Sequence, residues 1–330
     1  VSLSTEAAML AQFSERISFL YSLWFLWWSF PIFGARHQIR WLDVWNKRND
    51  MFAWSMHMTR FFGVKIRILG KQRALVGQRP VMYLSNHRSW ADFFIDVYLL
   101  AGQAMIMSRR AVFFAFPIFM SAVVFLKGVL LFNRTNVKDK TKFNEWIDEE
   151  FERSPLNGIL VYPEGHRNTS KELLPLRRGM LHYAHSRKML VQLVTAAGKE
   201  EVLSEKDMKA RFGRTVVAAF SPAIDSAEYE DVRAFIKDVE ERFREQWASV
   251  CRAQDGVGGA SSAAALEDYC PGGEEAQGHD YTPSMRAKMA VLMVASALAL
   301  VATLWLAWRL LGTAALVTVA AVVSACVVHA

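Results

Sequence analysis

Val81-Met82-Tyr83-Leu84-Ser85-Asn86-His87-Arg88-Ser89-Trp90-Ala91-Asp92 runs from an apolar strand pattern, through a polar turn, into the start of a helix. The helix is expected to begin near Trp90, with Ser89 as its N-cap. A strand-to-helix turn of this length can fold Asp92 back toward His87. A carboxylate on one imidazole nitrogen fixes the tautomer and raises the basicity of the other nitrogen. That nitrogen can then take a proton from an alcohol near neutral pH, where imidazole ordinarily titrates at about 6.5. With eight His in the chain, a His-x4-Asp spacing also arises by chance, so the pair gains weight only from its surroundings.

Those surroundings alternate. Short β-type runs are expected at 64–69, 80–85, 104–107, 129–132, 158–162, 189–194 and 215–220. Helical patterns lie between or after them at 91–101, 111–125, 138–152, 178–187 and 228–249. This alternation predicts an α/β fold with a mixed, mostly parallel sheet flanked by helices. Sites in such sheets collect beyond the carboxyl ends of the strands.

Two further polar clusters fall at strand ends. Tyr162-Pro163-Glu164-Gly165-His166-Arg167-Asn168 follows the apolar run 158–162, and Pro163 with Gly165 predicts a sharp turn. Arg167 has the fork geometry to hold a phosphate, and Glu164 can accept from substrate hydroxyls. Lys127-Gly128 leads through a short strand to Asn133-Arg134, where Arg134 is a second candidate anion ligand. Each cluster alone also suits an exposed turn with solvated charges. Three of them at three strand ends make the stronger case.

Taken in order, Asn86-His87-x4-Asp92, Gly128…Asn133-Arg134 and Tyr162-Pro163-Glu164-Gly165-x-Arg167 resemble the glycerolipid acyltransferase superfamily, which includes the 1-acylglycerol-3-phosphate acyltransferases. The resemblance covers about residues 64 to 220. It implies His87 as general base and Asp92 as its charge partner. Arg134, Glu164, Gly165 and Arg167 would form the acceptor-phosphate site. Asn86 and Arg109 would complete the substrate-binding set, Arg109 matching a basic residue between the first two blocks. The implied reaction moves a fatty acyl group from acyl-CoA, a co-substrate, to a lysophospholipid hydroxyl, with lysophosphatidic acid giving phosphatidic acid. No cofactor and no metal are implied. Two departures stand out: His166 replaces the family's usual Thr or Ser, and Val191–Thr195 lacks the Pro of a later block. Glycerol 3-phosphate or another lysophospholipid as acceptor, a membrane-anchored thioesterase or hydrolase, and a non-enzymatic membrane adaptor remain alternatives. No Gly-x-Ser-x-Gly nucleophile elbow is present, so direct transfer without an acyl-enzyme is expected. Backbone amides at the start of the Asp92 helix are the expected oxyanion donors.

Composition points to a lipid bilayer as a partner. Apolar residues make up 52% of the chain, which carries 11 Trp and 22 Phe, and aromatic residues concentrate at membrane–water boundaries. Residues 1–63 are expected to be membrane-associated helices, with the aromatic run Ile17 to Phe33 as a span or interfacial helix. Residues 64–250 form the α/β domain. Residues 251–284 are expected to be a flexible acidic linker, since 253–283 hold six acidic residues and no Lys or Arg. Residues 285–330 form one transmembrane segment or two, broken near Arg309 and Gly312. Arg286 and Lys288 before this tail place the catalytic domain on the cytosolic side, and lipid chemistry suggests the endoplasmic reticulum membrane. The formal charge of +7 suits anionic lipid or phosphorylated substrates; no nucleic-acid motif is present. Cys251, Cys270 and Cys326 are too sparse for a disulfide framework and suit free thiols in a reducing compartment.

Overall fold

The computed structural model describes residues 2–38, 46–76, 80–133, 139–257 and 266–329. The chain opens with α1 (Ser2–Gln38) and α2 (Asp50–Phe61), then β1 (Lys65–Leu69), β2 (Val81–Ser85), α3 (Asp92–Leu99) and β3 (Ala104–Arg109). It continues through α4 (Ala111–Ala115), α5 (Pro117–Phe125), β4 (Val129–Phe132), α6 (Lys140–Glu152), β5 (Gly158–Val161), α7 (Gly179–Ser186) and β6 (Leu190–Ala197). It ends with α8 (Lys199–Val202), β7 (Leu203–Ser204), β8 (Lys209–Ala210), β9 (Thr215–Phe220), β10 (Ile224–Asp225), α9 (Val232–Asp255), β11 (Leu266–Asp268) and α10 (Pro283–His329).

The main sheet has the order β11-β1-β9-β6-β2-β5-β3-β4, with β10 on β6. Strands β6, β2, β5, β3 and β4 are neighbours and all parallel, while β9 is antiparallel to β6 and β11 to β1. This is the mostly parallel, helix-flanked sheet expected from the sequence. β2 and β5 are buried along their whole lengths, as central parallel strands must be. Their side chains alternate between two cores. Val81, Tyr83 and Leu160 face a cluster with α1, α2, α3, α5 and α10, while Met82, Leu84, Ile159 and Val161 face α6, α7 and α9. The period of two in the strand thus sorts one chain segment into two layers.

Three expectations change. First, the helix expected over 111–125 breaks at Phe116, which leaves helical geometry (φ −134, ψ 66) so that Pro117 can start α5 at its first turn. Proline has no N–H to continue the preceding helix and disfavours helical geometry in the residue before it. Second, residues 266–283 are docked rather than a free linker. Strand β11 pairs with β1, and Tyr269 is buried with its hydroxyl donating to the Leu99 carbonyl at 2.9 Å. The acidic composition is answered by cations of the body: Glu267 pairs with Arg73 (2.9 Å), Asp268 with Arg67 (3.5 Å) and Asp280 with Lys47 (3.2 Å). Third, the N-terminal helices are not a separate unit, because Phe19, Leu26, Phe30, Trp54 and Met58 share one core with Ile66, Phe94 and Val194. Arg134 lies outside the described residues.

α1 buries Ser14, Ser18, Ser22 and Ser29 and exposes Leu10, Phe13, Leu20, Trp24 and Trp27. With Phe19, Leu26 and Phe30 also buried, the helix is apolar on both faces, with serines among the inward residues, which suits a helix packed on helices in lipid. α10 is long and apolar enough to cross a bilayer and exposes most of its large side chains beyond Met293. It breaks at Gly312 (φ 75, ψ 165), close to the expected break. Beyond that break the tail still reaches α1, where the Ser14 hydroxyl donates to the Cys326 carbonyl at 2.6 Å.

Candidate active site

Five adjacent parallel strands deliver their carboxyl ends to one sheet edge. β2 leads into His87, β5 into Tyr162 and Glu164, β3 ends at Arg109, β4 ends beside Asn133, and β6 leads into Lys199. His87 Nδ1 lies 2.6 Å from Asp92 Oδ2. The same Oδ2 accepts the Arg88 N–H at 2.7 Å and the Ser89 N–H at 3.2 Å. The carboxylate therefore closes the strand-to-helix turn at the start of α3 and orients the imidazole with one oxygen. Asp92 is only 2% exposed while 24% of the His87 side chain is open, so the acid is shielded and the base is accessible.

The amides at the start of this helix are already taken. Arg88 and Ser89 donate to Asp92, Trp90 N–H donates to Glu205 (3.1 Å) and Ala91 N–H to the Ser89 hydroxyl (3.2 Å). The expected oxyanion donors are therefore not free at this turn, and Ser89 caps locally without being the helix's own N-cap residue.

The remaining expected residues divide. His87, Arg109, Gly165 and Arg167 line one cavity of about 390 Å³. One wall is apolar and aromatic: Trp90, Phe93, Val112, Ala115 and Phe116. Arg109 and Arg167 also line the cavity. Arg109 donates to the Gly165 carbonyl at 2.9 Å. Arg167, 40% exposed, pairs with Glu205 at 2.8 Å. Gly165 sits at φ +70, a conformation that side chains rarely adopt, which is why this turn needs glycine.

Glu164 and Asn86 do not line the cavity. Both are buried and their polar atoms are engaged. Glu164 accepts from the His87 N–H (3.2 Å), the Asn168 amide (3.2 Å) and the Leu174 N–H (3.1 Å). It ties the second turn to the first, since Asn168 N–H also donates to the His87 carbonyl at 2.8 Å. Asn86 pairs with the Ala196 backbone in both directions, at 2.9 and 2.8 Å, locking the end of β2 to β6.

Sequence reasoning missed the groups behind the imidazole. Lys199, fully buried, places its ammonium 3.1 Å from Asp92 Oδ1 and 3.0 Å from both oxygens of Asp96. The Tyr162 hydroxyl donates to Asp96 at 2.9 Å, and the Tyr162 ring stacks on His87 with centroids 4.3 Å apart. Gly198, at φ +90, makes the turn that aims Lys199 inward. Beside this group, buried Arg88 binds Glu200 and the carbonyls of Thr169 (3.0 Å) and Ser170 (2.6 Å). A signal for part of this was present: Asp92 and Asp96 sit four apart in the otherwise apolar Asp-Phe-Phe-Ile-Asp-Val-Tyr-Leu, and buried acids demand partners.

The charges set the protonation states. Burial works against an ionised Asp92, but Lys199, the His87 hydrogen bond and the Arg88 amide overcome it and hold its pKa below the ordinary value. Burial pushes Asp96 up to about 6, against the pull of Lys199 and with a contribution from the Asp92 charge. Burial also disfavours the Lys199 ammonium, yet Asp92 and Asp96 more than compensate and raise its pKa. Burial, then Asp96 and Asp92, keep the Tyr162 phenol protonated.

Residues 65–196 match the family model described as Acyltransferase. The 1-acyl-sn-glycerol-3-phosphate acyltransferase alpha of Bos taurus is 23% identical over 207 residues, covering 62% of this chain and 69% of the relative. The 1-acyl-sn-glycerol-3-phosphate acyltransferase beta of Homo sapiens is 27% identical over 124 residues, 38% of this chain and 43% of the relative. Among solved structures, the 1-acyl-sn-glycerophosphate (LPA) acyltransferase PlsC from Thermotoga maritima superposes with a TM-score of 0.55 at 12% identity, over 73% of this chain and 98% of that one. That likeness speaks for the fold.

Proposed function

We propose, from the match of residues 65–196 to the family model described as Acyltransferase, that the chain transfers a fatty acyl group from acyl-CoA to the free hydroxyl of lysophosphatidic acid, giving phosphatidic acid. The observation that carries this reading is the imidazole of His87, held by a buried carboxylate at 2.6 Å and opening on a cavity with an aromatic wall and two arginines.

His87 Nε2 takes the proton of the acceptor hydroxyl as its oxygen attacks the thioester carbonyl. The tetrahedral adduct collapses with loss of the CoA thiolate, and the imidazolium returns the proton to sulfur. Asp92 stabilises the imidazolium while it exists. General-base help of this kind contributes about 10²–10⁴-fold. Positioning of two substrates supplies much of the remainder. Arg109 and Arg167 hold the acceptor phosphate, with Arg167 exchanging its Glu205 partner for it. Gly165 keeps their turn in place, while Glu164 and Asn86 shape the site from behind. Arg134 stays a proposed anion ligand on sequence grounds alone.

A second cavity of about 290 Å³ supports a nucleotide-bearing thioester as donor. It shares Phe132 with the first and is lined by Arg110, Lys142, Phe143 and Trp146. Two cations beside paired aromatic rings suit the phosphates and base of CoA. α10 anchors the protein in the bilayer. Arg286 and Lys288 at its start support a site on the cytosolic face, and the endoplasmic reticulum is the proposed membrane.

The test is purified protein in detergent with labelled acyl-CoA and a panel of lysophosphatidic acid, glycerol 3-phosphate and monoacylglycerol. Rapid transfer to lysophosphatidic acid, poor transfer to monoacylglycerol and no transfer by His87→Ala are expected. Acceptor-independent release of free fatty acid would favour a thioesterase instead.

A further inference from the structure

The contacts behind the imidazole close on themselves. His87 Nδ1 meets Asp92 Oδ2; Asp92 Oδ1 meets Lys199 Nζ; Lys199 meets Asp96; Asp96 Oδ2 accepts from Tyr162; and the Tyr162 ring lies on the ring of His87, 21° from parallel. The Asn86 carbonyl accepts from Lys199 at 2.9 Å and the Ser85 hydroxyl donates to Asp96 at 3.2 Å, so the ring is pinned to the end of β2. Its members come from three adjacent strands and α3.

We propose that Lys199 is a positioning residue for His87, acting through Asp92 and, by way of Asp96 and Tyr162, through the stacked ring. This rests on His87 being the base.

Three physical points carry it. A fully buried Lys is rare, and a buried ion pair is often no more stabilising than apolar packing of the same volume, so stability alone is a weak reason for it here. Asp92 offers Oδ2 to the imidazole and two amides, which leaves Oδ1 facing the Lys199 ammonium at 3.1 Å, an ion pair that favours this orientation of the carboxylate. Without the ammonium, two buried carboxylates four residues apart would disfavour each other's ionisation, and a protonated Asp92 no longer stabilises an imidazolium. Burial is the main cause of the upward push on Asp96, and the Asp92 charge adds to it in the same direction.

The ring also sets the field at the base. The positive charge of the Lys199 ammonium lies behind Asp92, and the negative charge of Asp96 lies behind the ammonium. The other charged or titratable groups around the base are Tyr162 and Glu164 after β5, Arg109 on β3, His166 and Arg167 on the cavity, Glu205 on Arg167, and the Arg88–Glu200 pair. All of these stay in place in the variants below.

Lys199→Met alone leaves both carboxylates without their cation, so the working variant is Lys199→Met with Asp96→Asn, which removes one charge of each sign. Asp96→Asn alone is its counterpart and keeps the packing. Full-length protein in detergent is assayed for kcat, both KM values and the pH dependence of kcat/KM, with circular dichroism as the folding check. The double variant is expected to lose about 10-fold or more in kcat with both KM values within about 3-fold, in the range of lost base catalysis. Its acid limb moves to higher pH, by about half a unit or more, because the nearer positive charge is gone. Asp96→Asn alone moves the limb the other way, since a negative charge is lost. If both limbs stay where the unaltered protein has them, the proposal is overturned, and if the double variant does not fold, the direction seen in Asp96→Asn decides. A His87→Ala protein that retains turnover would instead overturn the base assignment itself, which separates the two failures.

Discussion

Replacing Asp92 by Asn probes the pair with minimal change of shape, and the structure dictates how the amide must sit. With its oxygen at the Oδ2 position, it keeps the Arg88 and Ser89 N–H groups and the His87 contact, but sets an NH₂ 3.1 Å from the Lys199 ammonium. Flipped, it sets the NH₂ against three donors at once. The first orientation loses one contact and the second three, so the first is adopted. His87 Nδ1–H then donates to a neutral carbonyl, and its useful tautomer survives. What disappears is the charge that stabilises the imidazolium. A charge-assisted hydrogen bond exceeds a neutral one by about 1 kcal/mol. The full Coulomb interaction at about 4 Å in a medium of effective dielectric 20 is about 4 kcal/mol. At about 1.4 kcal/mol per factor of ten, kcat should fall about 5- to 10³-fold with little change in either KM.

Stability should fall as well. Lys199 keeps Asp96 but loses Asp92, so the cost lies at the low end of the about 3–5 kcal/mol typical of breaking a buried pair. Thiol release from acyl-CoA gives kcat, and a thermal melt in the same detergent gives stability. Asp92→Asn combined with His87→Ala should be no slower than His87→Ala alone, because the two act as a unit. A folded Asp92→Asn protein with kcat within about 3-fold of the original would refute the reasoning, since base help is worth at least about 10².

Charge reversal of Arg110 and Lys142 to Glu should raise KM for acyl-CoA by about 10-fold or more while sparing a pantetheine thioester of the same acyl chain; equal effects on both donors would remove the nucleotide from the second cavity. Arg167→Ala should raise KM for lysophosphatidic acid more than kcat falls, and should leave use of monoacylglycerol unchanged. Asp96 gives a pH signature. Its folded pKa of about 6 lies above the unfolded value, so its contribution to stability is present at low pH and is lost as pH rises through about 6. Relative to Asp96→Asn, the unaltered protein should therefore be more favoured at pH 4.5 than at pH 7. The difference is about 2 kcal/mol, since a tenfold change in proton affinity between the folded and unfolded chains is worth about 1.4 kcal/mol. Asp92 runs the opposite way, because its lowered pKa stabilises above about 4 and that stabilisation is lost on further acidification.

The sheet was legible because its strands are apolar runs bounded by polar turns, and the sequence places the edges of all seven expected strands within a few residues of their observed ends. β11 was hidden because Leu266-Glu267-Asp268 has no strand pattern; pairing with β1 and the charges of Arg67 and Arg73 make it a strand. Local pattern cannot report a tertiary partner. The same limit explains the site. His87 and Asp92 are five residues apart and visible as a motif, whereas Lys199 is 103 residues from Asp96 and sits in Gly-Lys-Glu-Glu, which reads as a solvated turn. Glu164 misled in the other direction: an acid in a polar turn suggests contact with substrate, but three donors from its own fold claim it.

On the proposed reaction, the apolar lining of the cavity connects the chemistry to the bilayer. Phe116 meets Trp90 edge-on at 5.0 Å, and Trp90 stacks with Phe19 of α1 at 6.2 Å. The Trp27 indole of α1 donates to the Ala115 carbonyl at 2.7 Å, and α5 packs against both α1 and α10. The short helices forming the wall beside His87 are thus braced on the helices that expose lipid-type surface. Phe114, 81% exposed, lies between two residues of that wall, Val112 and Ala115, and points the same surface outward. An acyl chain passing from the bilayer to the thioester carbon would need only to cross this aromatic edge. On the proposed reaction both substrates are amphiphiles, with the polar ends read by arginines and the tails left in lipid. Placing the base at the boundary between the two environments lets the protein bring the hydroxyl and the thioester together without extracting either chain into water, which at about 0.8 kcal/mol per CH₂ would exceed the worth of any hydrogen bond in the site.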